Sequence, residues 1–119
     1  MEVAQRDVWW ADLGDSVESA TGYHRPVVVV QGDDLNSSRS STYLCVPLTG
    51  NLRWGAIPTN LRLPARATGL DQDSIAQVGL MLAVSESQLI ECVGKIPHSH
   101  LEQLFARIDL ALGRVKFLA

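Results

Sequence analysis

One arginine stands out for its setting. Arg25 opens the run Arg25-Pro26-Val27-Val28-Val29-Val30, and a guanidinium at the start of a buried strand has a rigid base from which its donors can meet a phosphate. The competing role is a salt bridge to a neighbouring carboxylate. Other chemistry-bearing residues are dispersed. His24 directly precedes Arg25 after the small and acidic stretch from Gly14 to Gly22, a place that suits either a site residue or a solvated turn. His98 and His100 flank a helix start and read as solvated polar residues. Asp33 and Asp34 are adjacent carboxylates, a pair that caps a helical turn more often than it does acid–base work. Cys45 and Cys92 lack metal-site spacing and read as reduced core thiols. No glycine-rich phosphate loop, HExxH pair, nucleophile elbow or paired metal-ligand spacing occurs. Metal-free chemistry or none is what remains, and no cofactor is called for.

The elements that must position Arg25 are mostly strands. At 119 residues, with 46% hydrophobic and 19% charged residues, the chain reads as one globular domain over residues 1–119. It opens without a basic stretch leading into an apolar run, and no window nears the roughly 18 apolar residues of a membrane span. The expectation is a soluble, cytoplasmic protein with no membrane partner. Short apolar runs predict strands over Val8–Leu13, Arg25–Gln31, Thr42–Leu48, Ala56–Leu63, Ser74–Val84 and Leu89–Gly94. Val27 to Val30 predicts a central strand buried on both faces. Pro58 and Pro64 predict an edge strand, or one that begins after its first proline. Ser99 and Glu102 form an S-x-x-E capping box, and apolar residues from Leu101 to Leu112 at helical spacing predict a helix from Ser99 to Leu112, ended by Gly113. Strands first and a helix last predict a mainly β fold, a small SH3-like barrel closed by a C-terminal helix.

Charge at first argues against nucleic acid, because ten basic residues against thirteen acidic give −3. The average hides a division. Residues 25–66 carry Arg25, Arg39, Arg53, Arg62 and Arg66 against two aspartates, a net +3 flanked by acidic segments. An arginine-lined groove on an acidic protein predicts modest, strongly salt-dependent phosphate binding.

Gly22-Tyr23-His24-Arg25-Pro26-Val27-Val28-Val29-Val30 followed by Val46-Pro47-Leu48-Thr49-Gly50-Asn51 resembles the MazF/PemK/Kid toxins. The likeness extends to Asp7-Val8-Trp9-Trp10-Ala11-Asp12-Leu13, to Asn36, and to Gly69-Leu70-Asp71-Gln72-Asp73-Ser74. It implies a MazF/CcdB-like, SH3-like barrel and a homodimeric endoribonuclease toxin that cuts single-stranded RNA at short sequences and is neutralised by a MazE-like antitoxin. The family's catalytic arginine falls on Arg25 and its catalytic threonine on Thr49, and Ser74 matches a position that contacts RNA. The chemistry implied is attack of the RNA 2'-OH on the adjacent phosphorus, with 2',3'-cyclic phosphate and 5'-hydroxyl products and no metal ion. Arg25 would stabilise the developing charge, and the Thr49 hydroxyl would orient the phosphate or the 2'-OH.

Around these residues, His24, Asn51, Arg53, Trp54 and Ser74 are the candidate RNA contacts. Trp54 either stacks an unpaired base or belongs to the core, and Arg53 is placed to meet a phosphate. Trp9 and Trp10, adjacent in a strand, must point to opposite faces. Departures from the family pattern are Arg6 where glycine is common, Gly79-Leu80 where Ser or Glu precedes Gln, and Ser85-Glu86 where Asp-Lys is frequent. Leu80 lacks an amide's hydrogen bonds, and Glu86 replaces a cation suited to the phosphate backbone. Two other readings stay open: a CcdB-like toxin that binds DNA gyrase, and a non-catalytic RNA-binding barrel.

Overall fold

The computed structural model describes residues 2–14, 23–38 and 41–116. Gly22 and Arg39 therefore lie outside the described residues. In chain order the elements are β1 (Asp7–Asp12), β2 (His24–Val29), α1 (Asp33–Asn36), β3 (Thr42–Thr49), β4 (Leu61–Leu63), α2 (Ala65–Thr68), β5 (Ser74–Ala76), β6 (Leu82–Ser85), β7 (Leu89–Lys95) and α3 (His98–Ala111). The strands form one antiparallel sheet in the order β4-β5-β3-β2-β1-β7, with β6 added alongside β3.

Stiff, β-branched Val27, Val28 and Val29 pair between β1 and β3 and are fully buried. Because side chains alternate along a strand, they feed two apolar clusters. Val27 and Val29 join Trp9, Ala11, Cys45 and Val84 on one face. Val28 joins Val46, Leu48, Leu63 and Leu104 on the other. Burial of each such side chain is worth about 1.5–3 kcal/mol. Trp9 is the buried tryptophan of its pair, and Trp10 is half-buried on the opposite face.

The sheet is curved and barrel-like but does not close. One edge of β3 changes partner midway: Thr42–Cys45 pair with β6, whereas Leu48 and Thr49 pair with β5. Between those pairings five residues, Gln77 to Met81, face two on β3, Val46 and Pro47, and the surplus of three folds into a 3-10 turn at Val78–Leu80. The strand predicted over Ser74–Val84 is therefore two strands with a turn between them.

The strand predicted over Ala56–Leu63 likewise shrinks to Leu61–Leu63, an edge strand bounded by Pro58 and Pro64. Leu52–Ala56 form a 3-10 turn, whose entry is held by Asn51 Oδ1 accepting from the Arg53 N–H at 3.2 Å. Pro64 then serves as the N-cap of α2.

Helix α3 forms as its periodicity predicts, with Leu101 and Leu104 buried and Phe105 and Ile108 packed beside them. The capping box does not form. Pro97 is the N-cap, its fixed φ suits a helix start, and its carbonyl accepts from the His100 and Leu101 N–H groups. Ser99 is thereby placed inside the first turn. Leu112 is the C-cap and is 65% exposed, and Gly113 ends the helix with φ +74°. A capping arrangement is found instead at Ser85, whose backbone N–H donates to Gln88 Oε1 at 2.8 Å.

The carboxylate pair behaves as a turn. Asp33 begins α1, and its Oδ1 accepts from the Gln5 N–H and from Asn36 Nδ2. These bonds hold its carboxyl below the ordinary range. Only one cysteine is a core thiol: Cys45 is buried, which pushes it up to about 12, while Cys92 is exposed on β7 beside Lys95 and Glu91. Strand β7 lies at the sheet's edge, and this leaves one side of Cys92 uncovered.

Arg6 adopts φ +81°, a left-handed conformation that glycine enters without strain and arginine does not. Its Nη1 donates to the Ile96 carbonyl at 2.9 Å, which offsets part of the backbone strain. Arg6→Gly is expected to leave stability within about 1 kcal/mol of wild type, since roughly 1–2 kcal/mol of strain is exchanged for one hydrogen bond. Elsewhere two glycines let backbones touch: a Cβ on Gly94 would lie 2.2 Å from the Thr68 carbonyl oxygen, and one on Gly69 2.3 Å from that of Val93. Gly94→Ala should cost about 2–4 kcal/mol in urea unfolding followed by tryptophan fluorescence, and a loss under about 0.5 kcal/mol would contradict this packing.

Candidate active site

Arg25 sits second in β2, opposite Ala11 of β1, and is half-buried. The β2–β3 register pairs Val27 with Pro47, so continuing it sets Arg25 across from Thr49. The β3–β5 register pairs Leu48 with Ala76 and continues to Gln77, whose N–H donates to the Pro47 carbonyl at 2.9 Å. Strand alternation thereby places Arg25, Thr49, Ile75 and Gln77 on one face.

A hydrogen bond joins two of these side chains, Arg25 and Gln77. Arg25 Nε and Nη2 donate to the Leu48 carbonyl at 3.2 and 3.0 Å, and Nη2 also donates to Gln77 Oε1. The guanidinium carbon lies 5.5 Å from the centroid of the Tyr23 ring, within cation–π range. Among the described residues no carboxylate reaches ion-pair distance of Arg25. Among the described residues the salt bridge that competed with a phosphate role does not form, and neutral acceptors hold the cation. The donors on Nη1 have no partner among the described residues.

Thr49 ends β3 half-buried, and its Oγ1 accepts from the Asn51 N–H at 3.2 Å. Asn51 continues the same turn through Arg53. Arg53 is exposed, and Trp54 is 41% exposed and therefore lies outside the core. With Ile57, Leu80, Thr59 and Asn60, Trp54 lines a cavity of about 370 Å³ that reaches Gln77.

Ser74 and His24 fall on the other side of the sheet by the same alternation. Ser74 is buried beside a second cavity of about 290 Å³ lined by Trp10, Pro26, Gly50 and Asp73. His24 Nε2 lies 3.9 Å from Asp12 Oδ2, with both side chains about half exposed. Glu86 is remote from Arg25: its neighbour Ser85 pairs with Thr42, the far end of β3 from Thr49, roughly 23 Å along an extended strand. Among the described residues no three His, Cys, Asp or Glu side chains gather as a metal site, and no helix is long and apolar enough to cross a membrane.

Residues 4–112 match the family model of the PemK-like, MazF-like toxins of type II toxin–antitoxin systems. The chain belongs to this family. It is 35% identical over 115 residues to the endoribonuclease MazF2 of Mycobacterium bovis, covering 97% of both chains. Among solved structures, it resembles a mycobacterial endoribonuclease in complex with its cognate antitoxin, with a TM-score of 0.77 at 17% identity and coverage of 97% of this chain and 99% of that one. It also resembles MazF in a MazE–MazF crystal from Deinococcus radiodurans, with a TM-score of 0.78 at 16% identity and the same coverage. These likenesses establish the barrel-like MazF fold.

Within this PemK/MazF-family chain, Gln77 and the Leu48 carbonyl escaped the sequence reading. A backbone carbonyl has no sequence signature, and Gln77 lay inside a predicted strand. Its one signal was being the only polar side chain between Ile75 and Met81.

The positive segment is also partly neutralised. Arg62 Nη2 lies 2.9 Å from Asp73 Oδ2, and Asp73 Oδ1 accepts from the Ala65 N–H at the start of α2. The Ala65 bond first, and then Arg62, hold the Asp73 carboxyl below its ordinary value. A lowered folded value means that the carboxylate favours the folded state above the ordinary range near pH 4 and that this contribution disappears as pH falls through the lower value. Asp73→Asn should therefore flatten the acid limb of stability against pH below about 4; an unchanged acid limb would contradict the assignment.

Proposed function

We propose that this chain is a metal-independent endoribonuclease toxin that cuts single-stranded RNA, with Arg25 and Thr49 as its catalytic residues. In this reading residues 1–119 form one toxin domain that acts in the cytoplasm as a homodimer and is neutralised by a MazE-like antitoxin. The observation that carries it is Arg25: a cation fixed by the Leu48 carbonyl and Gln77, on the face of the sheet that Thr49 shares, with no carboxylate in ion-pair reach among the described residues. Family membership and the endoribonuclease names of relatives such as MazF2 support it.

The reaction needs little beyond that arrangement. As the RNA 2'-oxygen bonds to phosphorus, the bond from phosphorus to the 5'-oxygen breaks, and charge accumulates on the nonbridging and leaving oxygens. The 2'-OH proton passes to solvent and the 5'-oxygen takes a proton from solvent as it leaves, giving a 2',3'-cyclic phosphate and a 5'-hydroxyl. Arg25 contributes electrostatically, as a fixed cation facing the developing charge. Thr49 Oγ1 accepts from Asn51 in the free protein and has its own O–H to orient the 2'-OH or a phosphate oxygen. DNA lacks the attacking hydroxyl and is not a substrate.

Recognition of flanking nucleotides falls to Trp54, which offers an exposed ring for stacking, and to Arg53 for a phosphate. Asn51 supports the turn that presents them. Ser74 and His24, on the other side of the sheet, reach RNA only where the strand wraps that face.

The expected outcome is cleavage of a long single-stranded RNA in excess EDTA, with 5'-hydroxyl ends. Arg25→Ala should lower the rate by about a hundred- to a thousandfold while the fold survives, and a 2'-deoxy nucleotide at the cut site should resist. Wild-type activity in Arg25→Ala would overturn the assignment. RNA binding without any cleavage would favour a non-catalytic barrel.

A further inference from the structure

Gln77 provides the only side-chain hydrogen-bond acceptor on Arg25 among the described residues. Its backbone is fixed from the opposite side, because its N–H donates to the Pro47 carbonyl and its own carbonyl accepts from the Leu80 N–H at 3.0 Å. The side chain thus springs from a braced point at the entry to the Val78–Leu80 turn. Three extra residues in this turn, relative to the facing strand, lift the chain off the β3 ladder there. An insertion of this kind re-aims a side chain beside a site.

We infer that Gln77 is a positioning residue for Arg25, and that the working requirement is an amide on this side of the Val78–Leu80 turn. The inference rests on the catalytic role proposed for Arg25. Residues three apart in a 3-10 turn eclipse one another, so Gln77 and Leu80 emerge on the same side, and both line the cavity shared with Trp54. Leu80 offers that space no hydrogen-bonding group; Gln77 supplies one. Without it, the Leu48 carbonyl is the one hydrogen-bond acceptor left to Arg25 among the described residues, beside the Tyr23 ring, and the guanidinium gains freedom to turn about that point. Freedom to swing misdirects the cation during the chemical step while leaving ground-state binding nearly unchanged.

Gln77→Met removes the acceptor and keeps the length of the side chain. It should lower kcat at least tenfold and change KM less than threefold, with a thermal midpoint close to wild type. Adding Leu80→Gln to that variant should recover at least threefold in kcat, a gain that a merely structural role for Gln77 would not produce. Nitrogen-15 spectra of the Arg25 side chain give a readout that needs no RNA: rotation about the Cζ–Nη bonds should quicken several-fold in Gln77→Met and slow again in the double variant.

Activity of Gln77→Met within twofold of wild type, or no recovery on adding Leu80→Gln, overturns the inference. If the wild-type protein cuts no RNA but Arg25 rotation still responds to Gln77→Met as described, the positioning stands and the nuclease reading falls. If the protein is active and Arg25 rotation is indifferent to Gln77, the positioning falls and the nuclease reading stands.

Discussion

The ladder that pairs Val27 with Pro47 and Leu48 with Ala76 decides what can gather around Arg25. A strand's side-chain period is two, so a slip of one residue in either pairing would send Thr49 or Gln77 to the opposite face. Polar–apolar alternation cannot guard against such a slip here, because Val27, Val28 and Val29 are buried on both sides and resemble one another. Register must come from the ends of the valine run. Arg25, held to the Leu48 carbonyl, pins one end. Arg6, whose N–H donates to the Val29 carbonyl at 2.8 Å, pins the other. The residue proposed to meet the substrate is thus also one that keeps its own strand in place.

Strong, repetitive signals in the sequence were readable because burial and periodicity act over many residues. Val27–Val30 announced a central strand, and Leu101, Leu104, Phe105 and Ile108 announced a helix packed on the sheet. Local competition was harder to read. A proline outcompeted Ser99 for the start of α3, and a 3-10 turn divided the apolar stretch from Ser74 to Val84 because β3 there exchanges one partner for another. The fixed φ of Pro97 decided the first outcome and tertiary pairing the second. The candidate site was legible at Arg25 and Thr49 through their motif, whereas Gln77 became visible only when two strand registers placed it across from Pro47.

Electrostatics follow the same division between segment and fold. Segment arithmetic treats the arginines from 25 to 66 as one positive field, but Arg62 is neutralised by Asp73 and works as part of a brace at the start of α2. Arg25, Arg53 and Arg66 have no carboxylate in ion-pair reach among the described residues. The positive field is therefore smaller than the sequence count implied, and two of its members, Arg25 and Arg53, lie by the end of β3, which suits local attraction of a phosphate on a protein with net charge −3.

Leu48 and Gln77 engage three of the five N–H donors of Arg25, and the two on Nη1 have no partner among the described residues. A phosphodiester approaching this guanidinium would meet a single nitrogen from a set direction and not the broad two-nitrogen fork. The two nonbridging oxygens of a phosphodiester are not equivalent in an asymmetric site, and one nitrogen that cannot turn would single out one of them. In the proposed reaction the site would therefore be handed, telling pro-R from pro-S oxygen through a backbone carbonyl and an amide that hold the cation.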